Sequence, residues 1–317
     1  MTPQEFSRRH EQDWQRFETL LHGGDPTDQA DFPSRYREIC AHLALARDRH
    51  YPLAMVERLN TLVLAGQQRL YRHQGGLWPA FLDFLSRGFP VLVRQHAGLF
   101  WLSAAFFYLP LFGMAAAIWM QPELVYSVIP AEQVRQYESM YEPGQHLIGG
   151  RANDTHFMMF GFYLQHNTGI GFQTFAGGLF AGIGSLFFLL YNALAIGAVA
   201  GHLTHIGYQE TFLPFVATHG AFELTAIVLS GMAGLMLGLG LVAPGQHTRK
   251  DALILRGREA VRIVYGAAML FLVAAGVESF WSSSTSIPAE VKYTVAAIAW
   301  SSVIAWLGLA GRRQHAH

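Results

Sequence analysis

Charge is the scarcest ingredient of this sequence. Only 14% of its 317 residues are Asp, Glu, Lys or Arg, against roughly a quarter in an ordinary soluble domain. The 22 basic and 22 acidic residues cancel, so the chain carries no electrostatic footprint for nucleic acid. Cysteine is almost absent: the single Cys40 excludes an intrachain disulfide and fits a reducing compartment. The first 30 residues hold no continuous apolar run, so no secretory signal is expected. Walker loops, nucleophile elbows, dinucleotide fingerprints and HExxH are all missing. The common ATPase, hydrolase, dehydrogenase and zinc-protease signatures are thereby set aside.

The shortage of charge is uneven. Residues 1–96 place charges every few positions, as in "RRHEQDWQRFE" and "ARDRHYP". In "FSRRHEQDWQRFETLL", Phe6, Trp14, Phe17, Leu20 and Leu21 share one face, the pattern of an amphipathic helix. Gly23, Gly24 and Pro26 in "HGGDP" should break it. Further helices are expected over 32–49 and 52–73. From Gly98 the composition changes. "GLFWLSAAFFYLPLFGMAAAIWM" (98–120) has no acid or base other than the Tyr108 phenol. As a helix it would rise about 34 Å, enough for a hydrocarbon core of roughly 30 Å. Arg87 and Arg94 precede it, which places residues 1–96 in the cytoplasm under the positive-inside rule.

The loop 121–156 is polar, and its acids outnumber its two arginines, as expected for an external segment with short helices. Phe157–Ala200 is too long for one span and suits two, joined tightly at "FAGGLFAGIG". The basic run "HTRKDALILRGREAVR" (247–262) and the terminal "GRR" should both face the cytoplasm. Crossings near 98–120, 157–177, 180–200, 220–242, 261–281 and 293–310 satisfy every basic cluster. Five would do so only if 157–177 or 211–222 were re-entrant. The expected fold is all-α: a cytoplasmic helical domain (1–96), a first transmembrane helix (97–120), an external loop (121–156) and a glycine-rich bundle (157–312).

Helices in lipid associate through close packing and polar contacts. Gly177, Gly178 and Gly182 stripe one segment, and Gly220, Gly231, Gly234 and Gly238 another; both stripes read as packing faces, within one chain or between two copies. A lone carboxylate at mid-membrane costs about 2.5–3.5 kcal/mol on insertion scales. His219 and Glu223, one helical turn apart, should therefore find partners. Asn167, Asn192 and Glu278 complete an expected intramembrane polar cluster. No metal, cofactor or catalytic residue is expected: HxxxE alone lacks the three ligands of a zinc site.

These same residues carry a resemblance. "HNTGIGFQTFAGGLFAGIGSLFFLLYNALAIGAVAG" followed by "THGAFELTAIVLSGMAGLMLGLGLV" resembles the stage II sporulation protein M family of integral membrane proteins. The likeness rests on Asn167, on Asn192, on the His219–Gly220–Glu223–Leu224 signature and on Glu278. "NA" stands at 192–193 where Asn-Gly is usual, and "HN" at 166–167 where Asn-Asn is common. The resemblance implies a non-enzymatic anchor or scaffold in the bacterial inner membrane. Founding members assemble with two cell-wall-cleaving partners. The wider branch, with a long N-terminal domain, has genes beside those of a MoxR-type ATPase, a von Willebrand factor A domain protein and an RDD membrane protein. Membrane lipid, envelope proteins of that kind and a second copy are thus the expected partners. Two alternatives stay open: a transporter or channel lined by the polar cluster, and an intramembrane metal-dependent hydrolase.

Overall fold

The structure is a computed structural model and describes residues 2–21, 31–70, 77–144 and 153–312. The break expected at Gly23, Gly24 and Pro26 lies outside the described residues, as do the last three positions of the helix expected over 52–73. All regular elements among the described residues are helical. The chain divides into two compact units, Met1–Ala80 and Phe81–His317.

The first unit packs α1 (Pro3–Leu21), α2 (Phe32–Asp48) and α3 (Leu53–Leu70). Thr2 and Glu5 start α1 as a reciprocal cap. Thr2 Oγ1 accepts from the Glu5 amide at 3.3 Å, and Glu5 Oε2 accepts from the Thr2 amide at 2.9 Å. Pro3 sits at the first helical position, where its missing N–H costs nothing. The apolar face read from sequence is buried: Phe6, Trp14, Phe17 and Leu20 meet Ile39, Leu43 and Leu59. Arg58 closes the edge, bonding Glu11 at 2.9 Å and Glu18 at 3.3 Å while its guanidinium lies 5.5 Å from the centre of the Trp14 ring. Such part-exposed pairs fix geometry more than they stabilise.

Trp14 Nε1 donates to His42 Nδ1 at 3.2 Å, and the His10 ring stands 4.0 Å from that of His42. Burial, reinforced by His10, holds the His42 imidazole below its ordinary 6.5 against smaller opposing pulls from Asp13 and Glu38. The unfolded chain therefore takes up this proton first as pH falls. Stability from this site is complete above about pH 6.5 and declines below it. The urea midpoint for proteolysis within residues 1–80 of the full chain should drop between about pH 7.5 and about pH 5.5. His42→Gln should flatten that dependence.

The second unit begins with the end of α4 (Leu77–Asp83), a π-helical turn (84–88) and α5 (Phe89–Gln95). It continues with α6 (Ala97–Met120), the short α7 (Val125–Val128), α8 (Ala131–Tyr141) and α9 (Asn153–Ala176). The remaining elements are α10 (Ile183–His205), α11 (Gln209–Val242), α12 (Arg249–Gly276), a second π-helical turn (277–282) and α13 (Ala289–Leu309). Among the described residues, five helical stretches are long and apolar enough to cross a membrane: α6, α10, α11, α12 with its π turn, and α13. The 24-residue α9 has the length but includes Gln165, His166, Asn167 and Gln173.

Contacts fix how the helices run. At one end His96 meets Glu259 at 3.2 Å, Gly240 abuts Ala252, and Arg94 donates to Leu307 O at 2.6 Å and to Ala310 O. At the other end His205 meets Trp119 O at 3.0 Å, His156 meets Ser279 O at 2.8 Å, and Lys292 Nζ donates to Ser282 O at 2.8 Å. α6 and α9 to α13 therefore run alternately in opposite directions between two ends. Arg94, Arg249, Lys250 and Arg312 gather at the first end; Glu123, Glu132 and Glu138, on the segment joining α6 to α9, mark the second.

α11 is the axis. Every residue from Thr225 to Gly238 is buried, the condition of a helix that is apolar all round. Glycine lets its neighbours approach. A Cβ on Gly178 would lie 2.1 Å from Gly234 O, and one on Gly238 would lie 2.4 Å from Gly182 N. Gly182 also turns the chain between α9 and α10 at φ +83°, a conformation that L side chains resist. Gly177 abuts the backbone of Gly184, and a Cβ on Gly231 would press Ser103 Oγ and Leu189. Gly220 differs: an added Cβ would meet nothing nearer than Leu224 Cδ1 at 3.9 Å.

Candidate functional site

The site lies where the acidic end of α11 meets the end of α12. α11 is longer than the span read from sequence, because the helix starts at Gln209 and runs through Pro214. Near a helix start a proline forfeits one backbone bond and little else. His219 and Glu223 consequently lie about three and four turns inside, one above the other, with His219 Nε2 3.8 Å from Glu223 Oε2. Opposite them, α12 loosens into the π-helical turn 277–282, which buries Glu278, Ser279 and Ser282 together. Such turns recur at functional sites because the widened backbone re-aims side chains.

His219, Glu223 and Glu278 each offer a ligand atom, and all three atoms lie within 4.8 Å of one another. The His219 ring is held from behind: Nδ1 is 3.1 Å from Ser282 Oγ, and the Phe215 ring meets it edge-on at 5.3 Å. Tyr141, the last residue of α8, covers the site from the loop side. Its ring packs against Phe212 and Phe215, and its backbone carbonyl accepts from Thr211 Oγ1. Burial raises the Tyr141 phenol well above its ordinary range, and the carboxylates of Glu278 and Glu223 add to the shift. Its hydroxyl stays protonated and able to donate at any ordinary pH.

Of the five polar residues expected to cluster, these contacts join His219, Glu223 and Glu278. Asn167 is buried on α9, which packs against α11 and α12, and its Nδ2 has no hydrogen-bond partner among the described residues. Asn192 uses its amide within α10, where Nδ2 donates to Phe188 O at 2.8 Å. The π turn and Tyr141 were not read from sequence. Nor were the roles of His202 and His205. Both lie in the last turn of α10, where buried His202 Nε2 pairs with Glu138 Oε1 at 2.7 Å, joining α10 to α8.

Helices of membrane-spanning length around buried His219 and Glu278 and half-buried Glu223 define a polytopic helical membrane protein with a polar site at one end of its bundle. Residues 100–283 match the family Stage II sporulation protein M. That match takes in more than half of the chain and every residue of the cluster; the chain belongs to this family. Residues 4–72 match a second family, a domain of unknown function (DUF8413), which corresponds to α1–α3. No curated protein and no solved structure matches the chain.

Proposed function

We propose that this chain is a non-enzymatic scaffold of a bacterial envelope complex, seated in the inner membrane with its basic end in the cytoplasm. The excess of Arg and Lys at one end of the bundle supports that orientation. The observation that carries the scaffold reading is the outward face of α9. Gln165 and His166 are exposed about midway along a helix that runs the depth of the bundle, with Gln173 exposed two turns on. Around Gly161 and Gly169 on that helix an added Cβ would meet nothing within 4 Å. Amides and an imidazole facing lipid are costly, whereas beside another helix they supply hydrogen bonds, and glycine permits close approach. A transmembrane helix of an envelope partner suits this face. The MoxR-type ATPase and von Willebrand factor A domain protein implied by the family branch would then reach the complex from the cytoplasm or through such a partner.

The interior speaks against the transporter reading. Beyond Glu223, buried Ala226, Ile227, Leu229, Met232 and Met236 pack against Ile263, Leu270 and Phe271, an apolar layer about 15 Å deep. Hydroxyls within and beside it are turned onto backbone: Ser103 donates to Val228 O at 2.6 Å and Ser185 to Thr174 O at 2.7 Å.

Purification of the chain from its native membrane in mild detergent should retain a membrane partner in fixed proportion. Gly169→Leu should release that partner while leaving the thermal midpoint of the chain unchanged. Recovery of the chain alone, together with solute flux in liposomes that Glu223→Gln abolishes, would replace the scaffold with a pathway. Retention of only a second copy would make the face a homodimer contact.

A further inference from the structure

At one end of the apolar bundle an imidazole and two carboxylates converge, those of His219, Glu223 and Glu278. Two carboxylates this close repel each other, and a cation shared between them relieves the repulsion. The geometry at His219 is the most telling. The tautomer that donates Nδ1–H to Ser282 Oγ leaves a lone pair on Nε2, 3.8 Å from Glu223 Oε2. That separation exceeds a hydrogen bond, and two acceptors facing each other need something positive between them.

We propose that His219, Glu223 and Glu278 bind one divalent transition-metal ion, with Ser282 orienting the histidine. Three atoms within 4.8 Å of one another share a centre no more than about 2.8 Å from each, so side-chain shifts of less than about 1 Å reach the 2.0–2.2 Å of metal bonds to nitrogen and carboxylate oxygen. One imidazole and two carboxylates, with no thiolate, suit Zn2+, Mn2+ or Fe2+; Ca2+ and Mg2+ prefer oxygen alone. A doubly charged ion cancels both carboxylates. The contact behind His219 is of the kind that fixes ring orientation in metal sites. Three protein ligands leave room for water to complete the coordination. The ion would pin α11 to the π turn of α12, a structural tie consistent with a scaffold.

The test uses the full chain in detergent, loaded with Zn2+ and washed over a desalting column. Wild type should retain about one equivalent by elemental analysis, and its thermal midpoint should fall when a chelator is added. Loaded with Co2+ instead, it should show visible ligand-field absorption. Glu278→Gln should lose both the metal and the absorption. Ser282→Ala keeps every ligand and should weaken Zn2+ binding about 10–100-fold; this variant decides the matter if Glu278→Gln does not fold. Failure of wild type to hold zinc, with a midpoint indifferent to chelator, would overturn the proposal in favour of a shared proton. Zinc retained equally by wild type and both variants would overturn it as adventitious binding.

Discussion

Gly178→Val is expected to abolish recovery of folded, monodisperse protein from detergent. At this point the 3₁₀ turn that ends α9 lies directly on α11, and even a Cβ would stand 2.1 Å from Gly234 O and 2.6 Å from Gly234 Cα. Both partners are backbone, so no side chain can rotate away. Overpacking a core costs about 1–3 kcal/mol where neighbours can shift. Here α11 is held on its other faces by α6, α12 and α13, which removes that relief and places the effect at or beyond the upper limit. Size-exclusion chromatography after extraction checks the outcome. Gly113→Val on α6 is the control, since a Cβ there meets nothing within 4 Å; it should elute as wild type does. A Gly178→Val chain that behaves like Gly113→Val would show the α9–α11 contact to be misplaced.

The second large effect concerns the first unit. Trp14 is 1% exposed and packs with Phe6, while Arg58 lies over its ring and His42 accepts from its indole N–H. Trp14→Ala should cost about 3–5 kcal/mol. A domain of this size has roughly 4–12 kcal/mol in total, so much of its stability goes. Brief trypsin treatment of the full chain at increasing urea should cleave after Arg8, Arg9 and Arg16 at far lower urea in the variant, with the bundle still protected. Trp14→Phe keeps most of the apolar contact and should lose a smaller part. Equal cleavage of Trp14→Ala and wild type would mean that α1 does not pack as described.

Some of this architecture could be read from residues alone because the signals are local. α6 begins and ends within a residue of the uncharged run 98–120, and the turn between α9 and α10 falls in "FAGGLFAGIG". The buried face of α1 follows directly from the spacing of its aromatic residues. What escaped depends on distant partners. His202 and His205 look like loop residues until Glu138 and Trp119 O, far off in sequence, are placed beside them. "GAVAG" packs Gly197 and Gly201 against Leu111 O and Ala115 O of α6, yet the denser glycine stripes elsewhere overshadowed it. Gly220 belongs to a stripe by spacing, but no close approach requires it. In the polar cluster, spacing alone paired His219 with Glu223. Glu278 joined them through a π turn that no residue pattern announces, and Asn192 found a carbonyl on its own helix.

The polarity of α9 also bears on how the chain enters the bilayer. Insertion machinery accepts helices largely one at a time by their transfer free energy, and α9 is the helix least able to partition unaided. Its turn into α10 is only a few residues long, and α10 is strongly apolar. The two are therefore suited to enter together as a hairpin, with α10 drawing α9 in. Lengthening the 177–182 turn would uncouple that entry and leave α9 stranded on the wrong side, even though every packing contact of the finished bundle had been preserved.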